Sequence, residues 1–178
     1  DHKIKVIGNG VDLEKFKPLP KAQCRAQLGI PLEATVLISV GGLVERKGFH
    51  RVIEILPLLR ARWPNLLYLI VGGASAEGDM SVELQQQVAT LGLDQHVRFL
   101  GALPPEELSQ PLSAADIFVL ATRNEGWANV FLEAMACGLP VVTTKVGGNA
   151  EVVATDTVGT LVDFGDAQAL RHAIEHAL

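Results

Sequence analysis

Short β-branched apolar runs alternate along the chain with longer segments in which apolar residues return every three or four positions. This is the pattern of a parallel sheet covered by helices. The runs from Thr35 to Val40, Leu66 to Val71, Val97 to Leu100, Ile117 to Leu120 and Pro140 to Thr143 have strand length and end in loop-forming residues. Each reads as a strand buried on both faces. Helical spacing covers Phe49 to Trp63, Ser81 to Leu91, Glu106 to Ala114, Val130 to Cys137 and Asp166 to Leu178. Pro57 predicts a kink or an early break in the first of these helices. Gly138-Leu139-Pro140 reads as a helix stop followed by a strand entry, and Asp166 as the N-cap of the last helix. With right-handed crossovers, the alternation predicts a Rossmann-like, doubly wound α/β fold.

Length and composition narrow this to one foldable domain. The chain has 178 residues, 48% of them hydrophobic and 20% charged, which is the make-up of an ordinary globular domain. A net charge of -5 argues against a general nucleic-acid or acidic-membrane surface, so an anionic ligand would have to be held by local groups. Cys24 and Cys137 stand far apart and outside any CxxC or Cys/His pattern, and read as reduced, packed thiols. The first residues, from Asp1 to Ile4, hold no signal-peptide core, and no apolar run reaches the ~18 residues of a membrane span. A cytoplasmic location, at most peripheral at the inner membrane face, is the expectation.

Ligands of doubly wound sheets bind outside the carboxyl ends of the strands, so chemistry is expected in the loops that follow them. Three such loops stand out: Gly41 to Gly48, Thr122 to Asn129, and Lys145 to Asn149. The second runs from Glu125 into a helix that carries Glu133, with seven residues between the two glutamates and no proline among them. The backbone N–H groups of Gly126, Trp127, Ala128 and Asn129 are therefore all available, and a helix start adds unpaired donors and a favourable dipole. Ionised glutamates supply acceptors for sugar and ribose hydroxyls, and the amides supply donors for a diphosphate. On spacing alone, two such glutamates are more often a capping residue and a solvated helix face.

The stretch from Glu125-Gly126 through Glu133-Ala134-Met135-Ala136-Cys137-Gly138-Leu139-Pro140-Val141-Val142 resembles the signature of a retaining glycosyltransferase family, family 4 (group 1) of the GT-B fold, in its C-terminal domain. The resemblance extends over essentially the whole chain. Lys5 to Asp12, with Phe16 and Pro18, looks like the segment that opens that domain, and Gly147-Gly148-Asn149-Ala150-Glu151 like the glycine-rich turn after the signature. It implies that Glu125 contacts the donor hexose, that Glu133 binds the ribose, and that the amides of Gly126, Trp127, Ala128 and Asn129 meet sugar and phosphates. Gly147-Gly148 then reads as a close backbone approach to the donor.

The same resemblance makes Gly41 to Gly48 a second phosphate element, with Lys47 gripping the diphosphate. Gly42 stands where the family often has arginine, and glycine offers no fork of donors. Lys47, the helix-start amides and Arg46 or Arg123 must then balance the charge. The strand end from Val97 to Gly101 resembles the place where the nucleobase is met, largely by backbone, which adds Gly101 to the donor-binding set. The implied function is retaining transfer of a hexose from a nucleotide-diphosphate sugar, with Glu125 and Lys47 as the catalytic pair and the diphosphate stabilised electrostatically. No cofactor and no metal is expected, and there is no DxD-type dipeptide. The expected partners are the nucleotide sugar, an acceptor glycan or lipid, and an N-terminal acceptor domain outside this chain; nucleic acid is not among them. A non-catalytic nucleotide-sugar-binding module, a GT-B sugar-nucleotide epimerase or a phosphorylase are the alternatives.

Overall fold

The computed structural model describes residues 9–178; residues 5–8 of the opening segment singled out above, and the first four residues, lie outside them. Six parallel strands, β1 (Thr35–Val40), β2 (Leu66–Val71), β3 (Val97–Gly101), β4 (Ile117–Leu120), β5 (Val141–Thr144) and β6 (Gly159–Val162), form one sheet in the order β3-β2-β1-β4-β5-β6. The helices are α1 (Lys21–Gln27), α2 (Phe49–Arg62), α3 (Ser81–Thr90), α4 (Ser109–Ala114), α5 (Asn129–Ala136), α6 (Asn149–Val152) and α7 (Ala167–Ala177). This is the expected doubly wound α/β architecture. The strand order reverses between β1 and β4, so α2 and α5 leave towards opposite faces of the sheet and the crevice expected at a switch point falls between them.

Strand alternation sorts the core into two layers. Val36, Ile38, Leu67, Leu69, Val71, Phe118 and Leu120 face one side, where they pack with Leu112 of α4 and Phe131 of α5. Leu37, Leu66, Tyr68, Ile70, Ile117 and Val119 face the other, against α2, α3 and α7. The buried Tyr68 hydroxyl is satisfied at 2.6 Å from Ser39 Oγ, which in turn donates to the Val119 carbonyl.

Three elements, α1, β6 and the four-residue α6, had no sequence signal strong enough to name. In β6, the glycine at its start is required because a Cβ at Gly159 would overlap the Val141 carbonyl oxygen. The short α1 follows Pro20 without a side-chain cap and is fixed by tertiary contacts. The nearly buried Arg25 donates to the Ala114 carbonyl at 2.9 Å and to Asp116 at 2.9 Å.

The break expected at Pro57 does not occur, and α2 runs as one element from Phe49 to Arg62. A proline inside a helix costs about 3 kcal/mol. Ile53, Leu56 and Leu59 around it are fully buried, and burial of each is worth roughly 1.5–3 kcal/mol, so tertiary packing prevails. Asp166 caps α7 as expected, accepting from the Ala169 amide at 2.8 Å. The helix expected from Glu106 is a 3-10 turn over Pro105–Glu107 followed by α4.

The crevice depends on one glycine. Gly48, at φ 76°, joins the β1 loop to α2, and a Cβ there would overlap the carbonyl oxygen of Ala121 just past β4. Gly48→Ala should therefore lower stability by about 2 kcal/mol or more, through a left-handed backbone combined with a backbone overlap. Urea unfolding measures this, and wild-type stability in the variant would contradict the close approach.

Candidate functional site

The loops after β1 and β4 are stitched together across the crevice. The Arg123 amide donates to the Arg46 carbonyl at 2.7 Å, and the Thr122 hydroxyl lies 3.0 Å from the same oxygen. Between them, Glu125 is buried, with 8% of its side chain exposed. Lys47 Nζ donates to its Oε1 at 2.6 Å, Thr122 Oγ1 lies 3.1 Å from that oxygen, and Arg46 Nη1 is 3.4 Å away. Among the described residues every bond to this carboxylate ends on Oε1, so Oε2 is left to accept from something else.

Beyond Glu125, the chain turns into α5, which has Ala128 at its N-cap and no side-chain cap. Among the described residues, none of the amides from Gly126 to Val130 donates a hydrogen bond within the protein. A buried carboxylate with its cation thus sits beside a row of free N–H donors, an arrangement suited to an anion that also carries hydroxyls. Glu133, one turn into α5, is half-buried, and its carboxylate has no hydrogen-bond partner among the described residues. Burial holds its carboxyl above the usual carboxylate range, against a smaller opposing pull from Lys15. Asn129 at the helix start is held by Asn9, whose Nδ2 donates to its Oδ1 at 2.9 Å.

The sequence-predicted residues fall into three groups. Glu125, Lys47, Arg46, Gly126, Trp127, Ala128 and Asn129 are brought together at the switch point, with Glu133 one helical turn away. Gly41 lines the cluster, the site of its missing Cβ being 3.5 Å from the Lys47 stem, while a Cβ at Gly42 would come within 3.1 Å of Ser75 Cβ. Gly101 is not part of the cluster. It ends β3, two strands from β1, where its carbonyl accepts from the Gly72 amide at 2.9 Å. At about 4.8 Å per strand this is about 10 Å from the β1 loop. Arg98 in the same strand points to the end of α1, donating to the Leu28 and Gly29 carbonyls.

Two expectations change. Arg123 turns to Glu45 at 3.3 Å with 60% of its side chain exposed, and makes no ion pair in the cluster. The Gly147-Gly148 pair makes its close approach to the protein itself. A Cβ at Gly147 would overlap the Glu125 carbonyl, one at Gly148 the Gly126 carbonyl, and the Gly148 amide bonds both oxygens at 3.3 and 3.2 Å. The glycines thus seat the Glu125 loop. Two participants carried no signal in the sequence: Thr122, whose hydroxyl meets the carboxylate, and Glu77, paired with Arg46 at 2.6 Å. Glu77 carries no local mark because its partner Arg46 lies 31 residues away, and Thr122 meets a carboxylate only three residues on, through a contact with no distinctive residue pattern.

Comparison with known proteins shows similarity along nearly the whole chain. The family model described as Glycosyl transferases group 1 matches residues 20–178. A D-inositol 3-phosphate glycosyltransferase of Corynebacterium urealyticum is 39% identical over 182 residues, covering 99% of this chain and 43% of the relative. The Anabaena HepE structure in complex with UDP-glucose is 33% identical with a TM-score of 0.84, covering 97% of this chain and 47% of that one. The C-terminal domain of the group 1 family protein LpcC from Francisella tularensis is 29% identical with a TM-score of 0.81, covering 94% and 87%. This chain therefore spans less than half the length of the curated relatives it matches.

The raised Glu133 carboxyl gives a pH test. Its protonated form favours the fold, so that contribution is complete below the ordinary carboxylate range and is lost as pH rises through the raised value. Glu133→Gln removes the loss. The variant should be more stable than wild type at pH 7, by up to about 0.5 kcal/mol given the partial exposure. The gain should fade towards about pH 4. Denaturant unfolding at the two pH values checks it, and an equal difference at both would rule out burial of this carboxyl as the cause.

Proposed function

This chain belongs to the glycosyl transferases group 1 family, and on that premise we propose that it is the nucleotide-sugar-binding half of a two-domain transferase that moves a hexose with retention at the anomeric carbon. The observation that carries this reading is the buried Glu125–Lys47 pair at 2.6 Å, set beside the unbonded amides from Gly126 to Val130 at the sheet's switch point. The donor's diphosphate takes the amides of Gly126, Trp127, Ala128 and Asn129 together with Lys47. Its ribose reaches Glu133, and its hexose reaches the unused Oε2 of Glu125. The base lies towards Gly101, and about 10 Å between β3 and β1 is a span that a nucleoside diphosphate can bridge. Gly41 and Gly42 let the β1 loop pass close to the phosphates.

In this mechanism bond breaking at the anomeric carbon leaves charge on the departing diphosphate. Lys47 and the helix-start amides are already aimed at that position, so little reorganisation is needed as the charge develops. Glu125 holds the sugar and keeps Lys47 in place. The acceptor, a glycan, lipid or small glycoside, is held by a domain outside this chain. By itself the chain should bind a nucleoside diphosphate weakly and show no transfer, and robust turnover by the isolated chain would overturn the division into halves.

Lys47→Ala should weaken nucleoside diphosphate binding about tenfold or more, the worth of a charge-assisted hydrogen bond. It should also lower stability by about 1–3 kcal/mol, because it leaves a buried carboxylate oxygen under-satisfied. Adding Glu125→Gln to that variant should recover stability but not affinity. Titration calorimetry and urea unfolding on the pair of variants separate the two effects.

The two glutamates divide the labour, and this is the test of the whole reading. Glu133→Gln should weaken a nucleoside diphosphate and its sugar conjugate alike, whereas Glu125→Gln should spare the nucleoside diphosphate and weaken only the conjugate. Titrations of each variant with UDP, GDP and ADP, with and without an attached hexose, measure this. Affinities untouched by either change would make both glutamates surface carboxylates.

A further inference from the structure

The loop between β2 and α3 is anchored at both ends to the β1 loop. The Leu43 amide donates to the Gly73 carbonyl at 2.9 Å, and the Met80 amide to the Leu43 carbonyl at 2.7 Å. Between these anchors Ser75 and Gly78 close a tight turn through two mutual backbone bonds of 2.9 and 3.1 Å. Glu77 sits in that turn, exposed, with its amide bonded to Ser75 Oγ at 3.2 Å. Its two carboxylate oxygens take the Arg46 guanidinium side-on, Nε to Oε2 and Nη2 to Oε1, each at 2.6 Å. The remaining Nη1 edge donates to the Asn124 carbonyl at 3.1 Å and comes within 3.4 Å of Glu125 Oε1, the oxygen that Lys47 also bonds.

Two cations and two carboxylates therefore share one cluster, and their formal charges cancel. A parallel pair of N–H donors fits a carboxylate and a phosphate alike. Gly42 brings no side chain to this place, and Ser75 occupies the space beside it, which leaves Arg46 as the guanidinium beside Lys47. Arg46 and, more weakly, Lys47 both hold the Glu77 carboxyl below its ordinary range, so this carboxylate lies in the field of both cations of the site.

We propose that the Nε/Nη2 fork of Arg46 is a phosphate subsite occupied, in the ligand-free protein, by the side chain of Glu77, which the donor's diphosphate displaces. The proposal rests on the donor-binding reading above. Arg46 is buried enough to stay in place, with 29% of its side chain exposed, while the Glu77 side chain is 51% exposed and has no other side-chain partner among the described residues. The pair is bidentate, but half of the Glu77 side chain stays in water, which screens it, so a ligand that brings more charge to the same fork can compete for it. A diphosphate brings more charge to the same donors, with Lys47 and the amides beside them.

The experiment is calorimetric titration of the chain with UDP, GDP and ADP, with UMP, GMP and AMP as single-phosphate controls. It is run on wild type, Glu77→Gln, Glu77→Ala, Arg46→Ala, the Arg46→Ala/Glu77→Ala double variant, and Lys47→Ala. Both Glu77 variants should bind the preferred nucleoside diphosphate about three- to tenfold more tightly, with a smaller gain for the monophosphate. The gain should disappear in the Arg46→Ala background, which by itself should bind more weakly than wild type. A gain that persists without Arg46 would be long-range repulsion by Glu77 and would overturn the subsite. Weaker binding in the Glu77 variants would make that residue a support for Arg46, and unchanged binding would make it a surface carboxylate; either result refutes the displacement. If wild type binds none of the six nucleotides, the donor-binding reading fails and this proposal with it. If it binds and only Lys47→Ala matters, the donor reading stands and this one falls.

Discussion

A carboxylate taken out of water must find a cation and hydrogen-bond donors or give up its charge, and Glu125 meets that demand from three directions. Lys47 and Arg46 come from the loop after β1, and Thr122 from the start of Glu125's own loop after β4. A stranded buried charge costs far more than a surface one, so the two loops cannot drift apart without exposing or stranding it. Gly48 lets the first loop pass against Ala121, and Gly147 and Gly148 let the β5 loop press on the carbonyls of Glu125 and Gly126. Each of these contacts is backbone against backbone, so they hold the loop's path independently of the charges.

This rigidity explains why the first two of these amides, those of Gly126 and Trp127, remain free. The carbonyls of Glu125 and Gly126 are taken by the Gly148 amide, and a trans peptide points its N–H opposite to its C=O, so the amides of Gly126 and Trp127 turn away from the β5 loop. On the donor-binding reading proposed above, the seat for the diphosphate is built before the ligand arrives, and little has to be reorganised on binding. What does remain adjustable is charge. Opposite charges inside the cluster of Arg46, Lys47, Glu77 and Glu125 balance, and under the displacement proposed above an incoming anion competes with these internal carboxylates.

The chain is similar along nearly its whole length to group 1 glycosyl transferases while spanning less than half of their length. The described residues hold a six-stranded sheet in the order β3-β2-β1-β4-β5-β6 with an apolar layer on each of its faces. The LpcC domain, of closely similar extent and fold, shows the same unit solved apart from the rest of a longer protein.

The sequence by itself determined the strands β1 to β5, the helices with strong period and the Asp166 cap, because a strand buried on both faces or an amphipathic helix writes its period locally. It also showed Glu125 to Glu133 as a strand-end loop running into a helix start, while the donor roles of those glutamates and of Lys47 came from the resemblance to a family signature and not from any local pattern. Tertiary structure alone decided that α2 continues through Pro57, because only packing of Ile53, Leu56 and Leu59 against the sheet outweighs the lost backbone bond. Only the fold could give Gly147 and Gly148 their role, which is to meet carbonyls about twenty residues back in the chain. Arg46 and Glu77 are 31 residues apart, and Lys47 and Glu125 are 78. No local pattern encodes such pairs, because their partners are chosen by which strands lie side by side and where the order reverses.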